Sequence, residues 1–227
     1  MTTVSPPQTK INSVIALYSN GQIQEALGAV ENLIKDYPND PFLFNISGAC
    51  FVGLGQLDTA LKSYEKALAI KPDYAEVHYN LGVTLQELGQ LDAAVKSYEQ
   101  ALAIKSDYAD AYINLGITLK NLGQLDAAVK SYEQALAINP NYAEAHNNLG
   151  NALDDLGQLD AAVKSYEQAL AIKPNYPEAH NNLGNTLKNL GQLDASIKSF
   201  EQALAIKPDY AEAHNNLGNA LTNTRQL

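Results

Sequence analysis

The stretch Asp160-Ala161-Ala162-Val163-Lys164-Ser165-Tyr166-Glu167-Gln168-Ala169-Leu170-Ala171-Ile172 recurs, identically or with few changes, from Asp58, Asp92, Asp126 and Asp194, one copy every thirty-four residues. A second text, Ala143-Glu144-Ala145-His146-Asn147-Asn148-Leu149-Gly150-Asn151, fills the interval and recurs with the same period. A fixed period of this length marks stacked supersecondary units, each too small to bury its own apolar face. Such an array presents an extended surface rather than an enclosed pocket.

Within one period, Ala145, Leu149, Ala152, Leu153 and Leu156 follow a helical spacing, and so do Leu159, Ala162, Val163, Tyr166, Ala169 and Leu170. Both halves therefore read as amphipathic helices. Gly157 stands between them as the left-handed residue that ends the first. Asp160 opens the second with a charge that complements the helix dipole, Lys173 closes it with the opposite sign, and Pro174 forbids continuation. Asn141, Asn175, Asp73, Asp107 and Asp209 precede the first helix of each period, with Glu144, Glu178, Glu76, Asp110 and Glu212 three residues on. That spacing predicts a capping box. Pro41 and Pro177 fall in a first turn, where proline is tolerated.

These marks divide the chain into five full repeats at 41–74, 75–108, 109–142, 143–176 and 177–210. Residues 7–40 keep Gly21, Ala26 and Pro38 in register but carry Lys10, Ser13 and Val14 at other marks, as a degenerate capping repeat does. Residues 1–6 are expected to be a disordered tail. Residues 211–227 hold one further helix, with Arg225 where a turn glycine is expected. The expected architecture is all-α: thirteen helices, antiparallel within each pair, and no strands.

With 15 basic and 25 acidic residues among 227, the formal charge is −10. A nucleic-acid partner or an anionic membrane surface would call for a clustered basic patch, so both are excluded as expectations. The single Cys50 cannot form an intramolecular disulfide and replaces Ala152, Thr84 or Ala220 as a small packing residue. The segment from Met1 to Lys10 lacks the apolar core of a signal peptide, and no apolar run approaches the ~20 residues a membrane span needs. The default location is cytoplasmic. No catalytic constellation emerges, so no enzymatic activity and no cofactor are expected. His78, His146, His180 and His214 belong to different repeats; packed helices stand ~8–10 Å apart, too far for a shared metal ion, so they read as helix-packing residues. Asn45-Ile46-Ser47 matches a glycosylation acceptor but falls inside a predicted helix.

At this point the chain resembles the tetratricopeptide repeat (TPR) family. One period supplies the family's marks as His146, Leu149, Gly150, Leu153, Ala162, Tyr166, Ala169 and Pro174, and the resemblance covers residues 7–227. Ser196 replaces the small alanine, Ser106 the proline, and histidine the usual aromatic in four periods. The resemblance implies a right-handed superhelical solenoid of stacked helix pairs. Its first helices would line a concave groove that typically takes an extended peptide.

Asparagine dominates the first-helix polar positions. Asn80, Asn114, Asn148, Asn182 and Asn216 share one place in five consecutive periods; Asn147, Asn181 and Asn215 precede three of them, and Asn151, Asn185 and Asn219 follow one turn later. A primary amide donates and accepts at once, so a ladder of them suits the backbone of an extended peptide of any sequence. The pattern is similar to the asparagine ladder of the protein O-GlcNAc transferase family. The competing reading is a tolerated polar residue copied by duplication, although asparagine is a mediocre helix former. Glu87, Asp154 and Asp155 lie mid-helix without a capping role and make the expected groove acidic, against Lys120 and Lys188. The carboxylate-clamp branch of the family uses Lys and Arg where this chain has Asn, Ile, Tyr and acids, which disfavours that mode.

The leading expectation is a non-enzymatic protein-interaction scaffold for an extended, neutral-to-basic peptide. A second is a substrate-docking arm of a larger transferase, suggested by the stop at Leu227 within a repeat. A third is end-to-end self-association through the final helix, with Leu217, Leu221 and Leu227.

Overall fold

The computed structural model describes residues 6–224, which form thirteen α-helices. They are α1 (Gln8–Ser19), α2 (Ile23–Asp36), α3 (Pro41–Gly53), α4 (Leu57–Ile70), α5 (Ala75–Glu87), α6 (Leu91–Ile104), α7 (Ala109–Asn121), α8 (Leu125–Ile138), α9 (Ala143–Asp155), α10 (Leu159–Ile172), α11 (Pro177–Asn189), α12 (Leu193–Ile206) and α13 (Ala211–Thr224). No strand occurs among the described residues. The chain forms two compact units, 1–111 and 112–227, with α7 starting in the first. The tail expected over residues 1–6, apart from Pro6, and the features expected at Arg225 and Leu227 lie outside the described residues.

Each period is a helical hairpin. α9 ends at Asp155, and Gly157 takes a φ of 74°. Its N–H donates to Asp154 at 2.8 Å and the N–H of Gln158 donates to Leu153 at 2.9 Å, the paired bonds of a glycine-terminated helix. α10 then packs back on α9. The fit rests on one close approach: a Cβ on Gly150 would stand 2.6 Å from a ring carbon of Tyr166, which is 2% exposed. The same meeting joins Gly48 to Tyr64 and Gly82 to Tyr98 in the first unit, and Gly116 to Tyr132 and Gly184 to Phe200 in the second. Alanines fill the rest of the seam, with Ala145, Ala152, Ala162 and Ala169 fully buried. Small residues on both helices let the backbones approach, and the aromatic ring supplies the apolar area.

The capping boxes do not form in α5, α9 and α11. Their N-cap residues are Tyr74, Tyr142 and Tyr176, one residue later than expected, and no side chain caps them. Asp40, which stands at the tyrosine place of the later repeats, caps α3 by accepting from the N–H groups of Phe42 and Leu43. Elsewhere other devices tie the connection between repeats. Nε2 of His78, His146, His180 and His214 lies 2.9–3.1 Å from the carbonyl of Pro72, Pro140, Pro174 and Pro208. A carbonyl only accepts, so that nitrogen carries the proton and donates. The histidines thus clamp each connection to the helix that follows it. In the third repeat Tyr112 and Ser106 replace both members of the pair. Lys71, Lys105, Lys173 and Lys207 lie over the rings of Tyr74, Tyr108, Tyr176 and Tyr210 at 4.4–5.0 Å.

The departures from the repeat are satisfied locally. Ser196 is fully buried and donates to the carbonyl of Gly184 at 2.7 Å. Cys50 is fully buried at the small-residue place, and burial pushes its thiol up to about 11.

Candidate peptide-binding face

Each unit carries its own cluster of first-helix side chains, and the two clusters differ. In the second unit, Lys120, Asn151, Asp154, Asp155, Tyr166, Asn182, Asn185 and Thr186 line a polar cleft. Its floor is a hydrogen-bonded lattice between repeats. Nδ2 of Asn182 donates to Oδ1 of Asn147 at 3.1 Å and to Oδ1 of Asn151 at 3.0 Å. The Tyr166 hydroxyl donates to Asn151 at 2.8 Å, and the Thr186 hydroxyl to Asp154 at 2.6 Å. One repeat on, Nδ2 of Asn216 donates to Asn181, whose own Nδ2 donates to Glu212.

The asparagine ladder therefore has two kinds of rung. Asn147 and Asn181 are buried, 5% and 0% exposed, and their amides face a neighbouring repeat rather than solvent. Asn182 and Asn216 are half-buried and spend their donors on that contact, while their Oδ1 atoms accept no hydrogen bond among the described residues. Asn148 and Asn185 are half-buried and Asn215 and Asn219 exposed; their only described side-chain bond is the one Asn185 accepts from Lys188. At the place preceding Asn114 stands Ile113, which packs against Ala135 and Ala145. Asn114 is half-buried.

The acids are engaged as well. Asp155, half exposed, pairs with Lys120 at 2.9 Å, and Asp154 accepts from Thr186. Within this cleft two carboxylates face one ammonium, with Lys188 beside Asn185, so the local charge is close to balanced. Glu144 pairs with Lys173 at 2.9 Å, and this hydrogen bond holds its carboxyl below the usual range.

In the first unit three of these places are apolar in α3. Ile15, Tyr18, Phe42, Asn45, Ile46, Ala49, Glu76 and Asn80 line a second cleft, with Ile15 41% and Tyr18 37% exposed. Phe42, Ile46 and Ala49 stand where the later copy has Glu144, Asn148 and Asn151. Asn80 donates to Asn45 across the cleft at 3.0 Å. Beyond it, Tyr79 is tilted against Tyr98 and Tyr108, and burial, then Tyr79, push the Tyr108 hydroxyl up to about 12. Glu87 is exposed at the end of α5. Reading the asparagines alone passes over this cleft; the replacement of asparagine by Ile46 and Ala49 in α3 is its signal in the sequence.

A TPR repeat family model matches residues 48–89, 85–123, 118–156, 150–191 and 184–224 in overlapping succession. The chain belongs to the tetratricopeptide repeat family. No curated protein matches it. Among solved structures it is similar to MamA, at 29% identity and a TM-score of 0.69 over 73% of this chain and 96% of that one. It is similar in fold to YrrB, described as a TPR protein with an unusual peptide-binding site, at 24% identity and a TM-score of 0.72 over 82% and 96%. It is also similar in fold to PilW, a widely conserved type IV pilus biogenesis factor, at 23% identity and a TM-score of 0.81 over 92% and 97%. TPR arrays are protein-interaction scaffolds and generally non-catalytic. No described helix is long and apolar enough to cross a membrane.

Proposed function

We propose that the first-helix face of the second unit binds an extended peptide through its backbone. The observation that carries this reading is the open hydrogen-bonding capacity around the polar cleft. Nδ2 of Asn151 and Asn185 remains available beside Oδ1 of Asn182, giving donors and an acceptor on one rim. Such a rim pairs with peptide N–H and C=O groups and reads little of the side chains. With the cleft charge near balance, the favoured ligand is neutral and polar, and the overall −10 charge adds only a long-range preference for basic partners. In the first unit, the apolar cleft of Ile15, Tyr18, Phe42 and Ile46 takes a large apolar side chain as a separate contact.

Selection from a random peptide library tests this, with selected peptides titrated against the parent chain and the triple variant Asn148→Ala, Asn185→Ala, Asn219→Ala. None of these three amides bonds to another repeat among the described residues, so folding is preserved. The variant is expected to bind about tenfold more weakly or worse. The parent affinity is expected to change by less than about threefold with salt, because a balanced cleft has little long-range attraction to screen. Unchanged affinity in the variant refutes the proposal.

A further inference from the structure

Glu76 has no role in holding the repeats together. Its spacing from Asp73 predicts a capping box, but α5 begins without a side-chain cap. Two of its counterparts in later repeats are engaged: Glu144 pairs with Lys173, and Glu212 accepts from Asn181. Lys105 stands at the place of Lys173 but lies over the ring of Tyr108 at 4.6 Å without pairing with Glu76. Glu76 is exposed and takes part in no ion pair among the described residues.

This carboxylate lines the apolar cleft of the first unit. Three successive first helices build that cleft: Ile15 and Tyr18 come from α1, Phe42 and Ile46 from α3, and Glu76 and Asn80 from α5. Asn80 is spent on Asn45, and among the described lining residues Glu76 alone is charged. The polar cleft of the second unit differs, because Lys120 there answers Asp155. An apolar site with one unanswered anion at its edge matches a ligand that is apolar and cationic side by side. We propose that the first unit selects a peptide carrying a large apolar side chain with lysine or arginine two residues away. The apolar side chain enters between Ile15, Tyr18, Phe42 and Ile46, and the cation meets Glu76. In an extended peptide, residues two apart project to the same face about 7 Å from each other, which sets the spacing.

Charge selects this occupant. No basic residue lines the cleft, and the chain carries −10 overall, so a cationic peptide is drawn in at long range and held at short range. Lys71 and Lys105 line a neighbouring cleft that shares only Glu76 with this one, and each ammonium lies over its own tyrosine ring. This inference rests on the apolar contact proposed above for the first unit and adds the charged residue that accompanies it. The second unit then reads peptide backbone, and the first reads side chains.

A short capped peptide of glycine and serine, with phenylalanine at its centre and arginine two residues to each side, is titrated into the full chain and followed by amide NMR. Shift changes are expected at Ile15, Phe42, Ile46 and Glu76. Replacing both arginines by glutamine is expected to weaken binding about three- to fivefold, the size of a well-placed exposed ion pair. Glu76→Gln is expected to weaken the arginine peptide as much and to leave the glutamine peptide unchanged, so that the two losses do not add. High salt is expected to remove the difference between the peptides. Equal affinity of both peptides for the parent chain, or equal loss of both in Glu76→Gln, overturns the proposal and leaves the apolar contact standing. If a peptide with serine in place of phenylalanine binds as well, or no shift change falls in the cleft, the apolar contact itself fails and this inference with it. Binding about tenfold tighter after removal of residues 1–5 would make the chain's own leading segment the occupant of the cleft, which also overturns the proposal.

Discussion

Gly150→Ala and Gly218→Ala change the same residue in the same twelve-residue text, present at Tyr142–Leu153 and again at Tyr210–Leu221, and are expected to have opposite signs. At Gly150 the new Cβ would lie 2.6–2.8 Å from three ring atoms of Tyr166. Carbon atoms pack at about 3.5–4.0 Å, so ring or helix must move by about 1 Å. The ring has little freedom to do so: Tyr166 is 2% exposed and its hydroxyl is bonded to Asn151. Overpacking of this kind costs about 1–3 kcal/mol, and three simultaneous contacts place it near the upper end. Alanine returns about 1 kcal/mol in helix propensity, leaving a net loss of about 2 kcal/mol. At Gly218 only the gain of about 1 kcal/mol remains, because nothing stands within 4 Å. For a chain of this length, the expected shifts are about −4 to −8 °C and +2 to +4 °C in Tm. Stacked repeats can unfold in parts, so thermal scans belong beside amide hydrogen exchange. Protection should fall in α9 and α10 for the first variant and rise in α13 for the second. A Gly150→Ala chain as stable as the parent, or the same sign for both variants, would refute the aromatic-over-glycine account of the hairpin.

Asn182→Ala removes the donor that serves Asn147 and Asn151 and leaves the buried Oδ1 of Asn147 without it, at a cost of about 1–3 kcal/mol in denaturant unfolding. Asn185→Ala, which breaks no bond between repeats, should stay within about 0.5 kcal/mol. Burial pushes the hydroxyls of Tyr64, Tyr98, Tyr132 and Tyr166 well above the ordinary tyrosine range. Their unfolded-state hydroxyls ionise near pH 10, so full stability holds below that pH and is lost as pH rises through it toward the folded values. Ultraviolet titration should show the accessible tyrosines ionising first and these four only together with loss of helical ellipticity; their ionisation in a fully folded chain would contradict the packing.

Much of the fold was legible because it is local. Periodic apolar residues, the turn glycines and the prolines act within a few residues of themselves, and the structure places helices and hairpin turns where they indicated. The capping boxes were misread because a single tyrosine intervenes between the expected cap and the helix, and the histidine and lysine contacts do the work instead. The candidate site was legible in part. Spacing put the asparagines on one helix face, but no spacing could separate Asn147 and Asn181, buried between repeats, from Asn185 and Asn219, which face outward. That distinction depends on which helix is stacked against which.

The duplicated segment Tyr142–Leu153 and Tyr210–Leu221 marks the boundary between the two kinds of information. Its helical character, the glycine in its middle and the order of its amides are properties of the text and are the same in both places. Whether that glycine is a tight seat or an open one, whether Leu153 or Leu221 is buried, and whether an asparagine lies between repeats or faces solvent are decided by α10 lying over one copy while, among the described residues, no helix lies over the same side of the other. Helix formation is set by short-range backbone and side-chain preferences, whereas burial is a relation between surfaces, and twelve identical residues do not carry it alone.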